Sequence, residues 1–165
     1  MSSHIISVLM ENEAGALSRL VGLFSARAYN IESLCVSTTE DKSLSRLTLL
    51  TSGNEQVLEQ IIKQLNKLVD VVKVIDLSQS RHIEREIMLI KLDASESNNR
   101  EELKRLSDIF RGSIIDVADE VYTIQVTGSS AKNDAFLKSF DEKLIIETVR
   151  SGVIGIQRGQ KALTA

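Results

Sequence analysis

Few side chains in this sequence have the chemistry of a nucleophile, a general base or a metal ligand. Cys35 is the sole cysteine, and the two histidines are His4 and His82. A nucleophilic Cys35 would need a nearby base. No histidine lies close to it in the sequence, although folding could bring either one near. The alternative, which we favour, is a buried structural cysteine on a strand. The sequence therefore predicts no catalytic residue.

Carboxylates and glycines add little to this inventory. Glu11, Glu13, Glu40 and Asp41 could gather around a divalent cation, but solvated loop charge is the interpretation that we favour. The glycines form neither a P-loop nor a dinucleotide-binding fingerprint. Two isolated histidines do not make a zinc site or a catalytic triad. We expect no metal site in this chain and no enzyme activity of its own.

Composition narrows the class of protein. The chain has 165 residues, of which 42% are hydrophobic and 26% charged, as in a soluble globular protein. A net charge of -3 argues weakly against a nucleic-acid partner. No apolar run is long enough to span a membrane, and the N-terminus does not resemble a signal peptide. With one cysteine no internal disulfide can form, so we expect a protein of the reducing cytoplasm. Since no apolar run is long enough to span a bilayer, no membrane partner is expected.

The first half of the chain follows a β-α-β-β-α-β order. Hydrophobic residues alternate with period two in the strands and recur every three to four residues in the helices. The strands are predicted at His4–Met10, Ile31–Thr39, Leu44–Thr51 and Val71–Leu77, with helices at residues 17–28 and 55–68. A capping box formed by Ser52 and Glu55 is predicted to open the second helix. This order is that of the ferredoxin-like fold, a four-stranded antiparallel sheet with two helices on one face.

The second half repeats the pattern with little sequence identity to the first. The strands are predicted at Ile87–Ala94, Ser113–Val117, Val121–Thr127 and Leu144–Val149, with helices at residues 97–111 and 131–140. We therefore predict an α+β protein of two ferredoxin-like domains. The first covers residues 1–78, a polar linker covers 79–86, and the second domain covers 87–165 and includes the C-terminal tail.

The predicted sheets leave one face without helices. That face still carries apolar residues with period two, which is typical of an association surface. We expect an obligate dimer, with edge-to-edge pairing as one arrangement. RNA-recognition modules share this fold but stack bases on aromatic residues of their central strands. The strands His4–Met10 and Leu44–Thr51 contain no aromatic residue, so RNA binding is not expected.

The loop between the first strand and the first helix has the features of a small-anion site. The first N–H groups of a helix lack intrahelical partners and suit a carboxylate. Gly15 would let backbone and ligand approach closely, and Asn12 offers a donor and an acceptor. The side-chain amide of Asn30 could accept a hydrogen bond from an ammonium group. A free α-amino acid would fit, but Asn12 could equally cap the helix while Gly15 relieves crowding.

A family resemblance favours the ligand-binding alternative. The stretch SVLMENEAGALSRLVGLFSARAYNIESL resembles the start of an ACT domain, and more closely that of the small subunits of acetolactate synthase, also called acetohydroxyacid synthase. The stretches HIEREIMLIKL, IFRGSIIDV and RSGVIGIQRG resemble the second domain of the same family. The resemblance covers nearly the whole chain.

The resemblance implies a non-catalytic regulatory subunit that activates a large catalytic subunit and confers feedback inhibition by valine, with leucine and isoleucine as alternative effectors. It implies no cofactor in this chain, whereas the catalytic subunit would use thiamine diphosphate, Mg²⁺ and FAD. It also implies a homodimer through the ACT domain with two sites at the interface. The effector contacts would be Asn12, Gly15, Ala16 and Leu17 of one protomer with Asn30 and Ile31 of its partner.

Two other classes of protein remain open at this point. One is a stand-alone ACT-domain amino-acid sensor that acts on another partner. The other is a small ferredoxin-like enzyme, which the residue inventory disfavours. Recovery of a thiamine-diphosphate enzyme in a pull-down would separate the first from a synthase subunit, and turnover by the isolated chain would revive the second.

Overall fold

A computed structural model describes residues 2–165, which divide into two compact units. One unit contains residues 2–84 together with Val153–Ala165, and the other contains Arg85–Gly152. The elements are, in chain order, β1 (Ser2–Glu11), α1 (Ala16–Ala26), β2 (Ser33–Thr38), β3 (Leu44–Gly53), α2 (Glu55–Leu65), β4 (Val71–Asp76), β5 (His82–Asp93), α3 (Ser97–Ile109), β6 (Ser113–Val117), β7 (Val121–Gly128), α4 (Ser130–Lys138), β8 (Ile145–Arg150) and β9 (Ile154–Gln157).

The first unit has an antiparallel sheet with strand order β2-β3-β1-β4. β1 and β3 are the central strands, with Val8 opposite Leu47 and His4 opposite Thr51. Side chains of one sheet face pack against Leu20 and Phe24 of α1 and against the apolar stripe of α2. The second unit repeats this plan, with strand order β6-β7-β5-β8 and a core of its own. The predicted fold class of two βαββαβ units is therefore confirmed.

The cap of α2 differs from the predicted capping box. Ser52 lies within β3, and the N-cap residue is Asn54, whose side-chain oxygen accepts a hydrogen bond from Val57 N at 2.9 Å. Asparagine is as good a cap as serine because its oxygen reaches the orphan N–H groups of the first turn. Glu55 therefore lies in the first turn, where its charge favours the positive end of the helix dipole.

The predicted linker and second-domain boundaries also differ from the structure. β5 begins at His82, inside the stretch 79–86 that the sequence predicts as a linker. Glu86 is buried in this strand, where its carboxylate accepts hydrogen bonds from Arg150 and from Asn133 Nδ2. A charged residue can occupy a buried strand position when such partners surround it.

The C-terminal segment belongs to the first unit, although the sequence predicts it as part of the domain 87–165. Val153 N donates to Ser33 Oγ at 3.1 Å, and Arg46 Nη2 donates to Gly155 O at 2.9 Å. Val153 is buried in a small cluster with Ile5 and Leu77. The face of the first sheet opposite the helices is therefore covered by the chain's own C-terminal segment, and the expectation of a bare face there is wrong.

Candidate functional site

The β1–α1 loop leaves the first turn of α1 open. Gly15 precedes the helix in the left-handed conformation, with φ of 85°, and no side chain caps α1. Ala16 N donates to Glu13 O at 3.2 Å. Within residues 2–165, the N–H groups of Leu17 and Ser18 have no hydrogen-bond acceptor. Two donors at the positive end of a helix dipole are therefore available to an anion.

Asn12 joins this loop to the turn between β2 and β3. Its Nδ2 donates to Lys42 O at 3.0 Å, and its Oδ1 accepts from Ser45 Oγ at 3.2 Å. Its main-chain N–H donates to Ser43 O at 2.7 Å. Asn12 therefore does not cap α1, which removes one alternative left open by the sequence. One hydrogen of Nδ2 and one lone pair of Oδ1 remain for a ligand.

Arg19 and Asp70 fix the start of α1 against the start of β4. Arg19 Nε lies 2.6 Å from Asp70 Oδ2, and Nη2 lies 2.9 Å from Oδ1. A Cβ atom at Gly15 would lie 2.9 Å from Arg19 Nη1. The hydrogen bonds from Arg19 hold the pKa of the Asp70 carboxyl below its ordinary value. The left-handed backbone conformation thus favours glycine at position 15, and a larger side chain there would also have to displace the guanidinium group of Arg19.

Asn30 and Ile31 lie at the opposite end of α1. The helix ends at Ala26, and Ala28 adopts a left-handed conformation with φ of 55° before the chain turns into β2. Asn30 is exposed, and its carbonyl oxygen accepts a hydrogen bond of 2.7 Å from Thr51 Oγ1. This hydrogen bond holds the backbone of Asn30 in place, while its side-chain amide is exposed.

The two groups of predicted effector contacts do not meet within one chain. Asn12 is tied to Ser45 and Asn30 to Thr51, which lie at opposite ends of β3. Six residues of extended strand place these attachment points about 20 Å apart. A free amino acid is only several ångströms long, so a single protomer cannot grip it with both asparagines.

Apolar side chains lie exposed along α1 and the edge strand β2. Leu17 is 37% exposed, Val21 38% and Val36 41%. β2 pairs with β3 on one side only, so its other edge presents unpaired backbone groups. Ala16, the remaining predicted contact, is buried in the core beneath the loop.

The residues with reactive side chains are dispersed. Cys35 is half-buried on β2 and lies opposite Thr48 of β3. His4 is on β1 and lies opposite Thr51 of β3. On β5, His82 Nε2 lies 3.3 Å from Glu84 Oε2. Residues 2–165 contain no cluster of three or more metal-ligating side chains. No helix in that part of the chain is both long and apolar enough to cross a lipid bilayer.

Comparison with known proteins identifies the family. Residues 6–73 match a family model described as the AHAS small subunit-like ACT domain, and residues 85–159 match the small subunit of acetolactate synthase. The chain belongs to the acetolactate synthase small-subunit family. It is 58% identical to the acetolactate synthase isozyme 3 small subunit of Escherichia coli over 160 residues, covering 96% of this chain and 98% of that protein.

Further members of this family are similar over nearly the whole chain. The acetolactate synthase small subunit of Haemophilus influenzae is 58% identical, covering 95% of this chain and 96% of that protein. The crystal structure of the small subunit from Thermotoga maritima superposes with a TM-score of 0.88 at 36% identity, covering 98% of this chain and all of that one. The resemblance stated from the sequence is thereby confirmed.

Several residues that shape the site are not evident from the sequence. Arg19 follows Gly15 by one helical turn, so helical spacing alone could have placed it beside the loop. Asp70, Ser45 and Thr51 are distant in sequence from the residues that they contact. In the sequence, Ser45 and Thr51 are marked only as hydroxyl residues in a leucine-rich strand.

Proposed function

We propose that this chain is a non-catalytic regulatory subunit of acetolactate synthase. It would bind the large catalytic subunit, raise its activity and confer inhibition by valine. The observation that carries the proposal is the match of both units to one family of small subunits. Thiamine diphosphate, Mg²⁺ and FAD would belong to the catalytic subunit, whereas this chain would contribute only the effector site and the docking surface.

The geometry of the β1–α1 loop supports binding of a small zwitterion. The open N–H groups of Leu17 and Ser18 suit the α-carboxylate of an amino acid. The exposed amide of Asn30 has an oxygen that can accept from the α-ammonium group. The exposed apolar atoms of Leu17 and Val36 suit an aliphatic side chain. A branched-chain amino acid combines these three features.

The separation of the two asparagines supports a site shared by two protomers. Because Asn12 and Asn30 of one chain lie about 20 Å apart along β3, a ligand that contacts both must take them from different chains. The exposed apolar residues of α1 and the open edge of β2 lie on the same border of the sheet. We propose a homodimer through this border, with two equivalent effector sites.

Regulation follows from binding between protomers. A ligand held by two chains stabilises the dimer arrangement in which both halves of the site are correctly spaced. It changes the activity of the catalytic subunit only to the extent that its affinity differs between two arrangements of the dimer. A coupling free energy of about 1–3 kcal/mol is typical of such systems.

Reconstitution with the catalytic subunit tests the proposal. The Gly15→Asp chain should lose valine inhibition while activation of the catalytic subunit persists, because a carboxylate would be placed beside the position of the ligand's own carboxylate. Gly22→Asp is the matched control, since Gly22 lies within the helix that Gly15 precedes and has open space around it, and valine inhibition should persist there. Undiminished inhibition in the Gly15→Asp enzyme would contradict the site, and a catalytic subunit indifferent to the wild-type chain would contradict the function.

A further inference from the structure

Two buried hydroxyl groups of one strand contact the two asparagines of the proposed site. Ser45 and Thr51 both lie on β3 and are 7% and 1% exposed. Ser45 Oγ donates to Asn12 Oδ1 at 3.2 Å, and Thr51 Oγ1 donates to Asn30 O at 2.7 Å. Each hydroxyl therefore connects the central part of the sheet to one of the two loops that flank α1.

The alternation of the strand explains why one element reaches both loops. Side chains two residues apart in a strand share a face, so Ser45 and Thr51 lie on the same face as Leu47 and Leu49. The two leucines are fully buried in the core beneath the helices. The two hydroxyl residues lie just beyond this apolar pair, one at each end, where α1 begins and where the chain leaves it.

Each hydrogen bond restricts an asparagine in a different way. The bond to Asn12 Oδ1 and the bond from Nδ2 to Lys42 O together fix the plane and direction of the Asn12 amide. The bond to Asn30 O fixes the backbone after the left-handed turn at Ala28. The side chain of Asn30 therefore leaves the backbone in a constant direction, although it is itself exposed.

We infer that Ser45 and Thr51 are positioning residues for the effector site, which set the asparagine at each end of α1 without contacting the ligand. This inference rests on the proposed function, since it concerns the same amino-acid site. Positioning of this kind raises affinity because the loops are ordered before the ligand arrives and less conformational entropy is lost on binding. A single strand that positions both halves also keeps the spacing constant within each protomer.

Calorimetric titration with valine tests the inference on the intact chain. Thr51→Val keeps the shape of the side chain and removes the hydroxyl, and it should weaken valine binding about 5- to 10-fold, because the loop that carries Asn30 must then be ordered when valine binds. Thr51→Ser restores the hydroxyl and should bind valine within about twofold of wild type. Ser45→Ala should weaken binding to a similar extent as Thr51→Val.

A threonine on the opposite face of the same strand provides the control. Thr48 is buried on β3 but points away from both asparagines, opposite Ser7. Thr48→Val makes the same chemical change in the same strand and should leave valine affinity unaltered. Unfolding midpoints of Thr51→Val and Thr48→Val, measured in parallel, show whether the two changes perturb the fold equally.

The outcomes separate the inference from the proposed function. Equal affinity of Thr51→Val and wild type overturns the positioning role, and so does an equal loss in Thr48→Val and Thr51→Val. Failure of Thr51→Ser to regain affinity overturns it as well. A wild-type chain that binds none of valine, leucine and isoleucine overturns the proposed effector site itself, and the positioning role with it.

Discussion

Replacing Gly15 with alanine should destabilise the first unit, whereas the same change at Gly22 should stabilise it. Gly15 has φ of 85°, and its added Cβ would lie 2.9 Å from Arg19 Nη1. Gly22 lies in the interior of α1, and a Cβ there would meet nothing within 4 Å. The two substitutions therefore differ in backbone conformation and space while sharing the same chemistry.

The magnitudes follow from known backbone preferences. A left-handed conformation costs an alanine about 1–2 kcal/mol relative to glycine. Alanine in place of glycine within a helix gains about 0.5–1 kcal/mol, because the unfolded chain has less entropy to lose. The free energies of unfolding of the Gly15→Ala and Gly22→Ala chains should therefore differ by about 1.5–3 kcal/mol. Displacement of Arg19 from Asp70 would add to this difference.

Urea denaturation, monitored by tyrosine fluorescence, measures this difference in the first structural unit, which contains both glycines. The chain has two tyrosines and no tryptophan. In a Tyr122→Phe background, Tyr29 is the remaining tyrosine, and its ring packs edge-on against Phe24 with centroids 6.0 Å apart. Its signal should therefore report unfolding around α1.

Equal urea midpoints for the Gly15→Ala and Gly22→Ala chains would refute this account of the loop. That result would mean that the chain relaxes freely at Gly15, and that neither the left-handed backbone nor the adjacent guanidinium constrains the start of α1. The unsubstituted Tyr122→Phe chain is the reference, and its midpoint should fall between those of the two variants.

Ion pairs in both units give further predictions. Glu86→Ala should lower the free energy of unfolding by about 2–3 kcal/mol, because Arg150 loses its buried partner. The loss is smaller than for a fully buried pair because Arg150 is partly exposed and keeps its contact with Asp134. Glu147→Ala, which removes the partner of Lys91 from an exposed pair, should change the free energy of unfolding by less than about 1 kcal/mol in parallel urea titrations. The Arg19→Met chain should be less stable than wild type at pH 7. Because Arg19 lowers the folded-state pKa of Asp70, this stabilisation is present above the unfolded-state pKa, about 4, and is lost as the pH falls through the folded-state pKa. The stability difference should therefore shrink below about pH 4, and a constant difference would contradict the assignment.

Sequence periodicity predicts most of the fold because its causes are local. The apolar spacing of Leu20 and Phe24 reflects the helical period, and the alternation of Ile6 and Val8 reflects the strand. The start of β5 was not predictable in the same way. The stretch 79–86 is polar and charged, which predicts a linker. The partner that allows Glu86 to be buried in the strand, Arg150, lies 64 residues further along the chain.

Long-range contacts account for the other differences between prediction and structure. Val153 and Gly155 cover a face of the first sheet through hydrogen bonds with Ser33 and Arg46, which are more than 100 residues away. No local pattern in the tail indicates which sheet it contacts. A short apolar segment with a glycine is compatible with either unit.

The candidate site shows the same division between local and distant causes. Asn12 and Gly15 stand out in the sequence because a loop before a helix has a recognisable composition. The roles of Thr51 and Asp70 depend on strand register and on the path of the chain after α2, which the loop sequence does not encode. The sequence therefore indicates candidates for ligand contact and leaves undetermined the residues that hold them in place.

Complementation between two variants tests most directly whether two protomers share one amino-acid site. Asn12→Ala and Asn30→Ala chains should each bind valine poorly by calorimetry, because every site in either homodimer lacks one asparagine. In a mixed dimer, one site lacks both asparagines and the other has both. After subunit exchange, an equimolar mixture should regain about one quarter of the wild-type sites at wild-type affinity, as two-fold symmetry and random pairing require. A mixture that regains no high-affinity binding, while the wild-type chain binds valine, would contradict a site built from two chains.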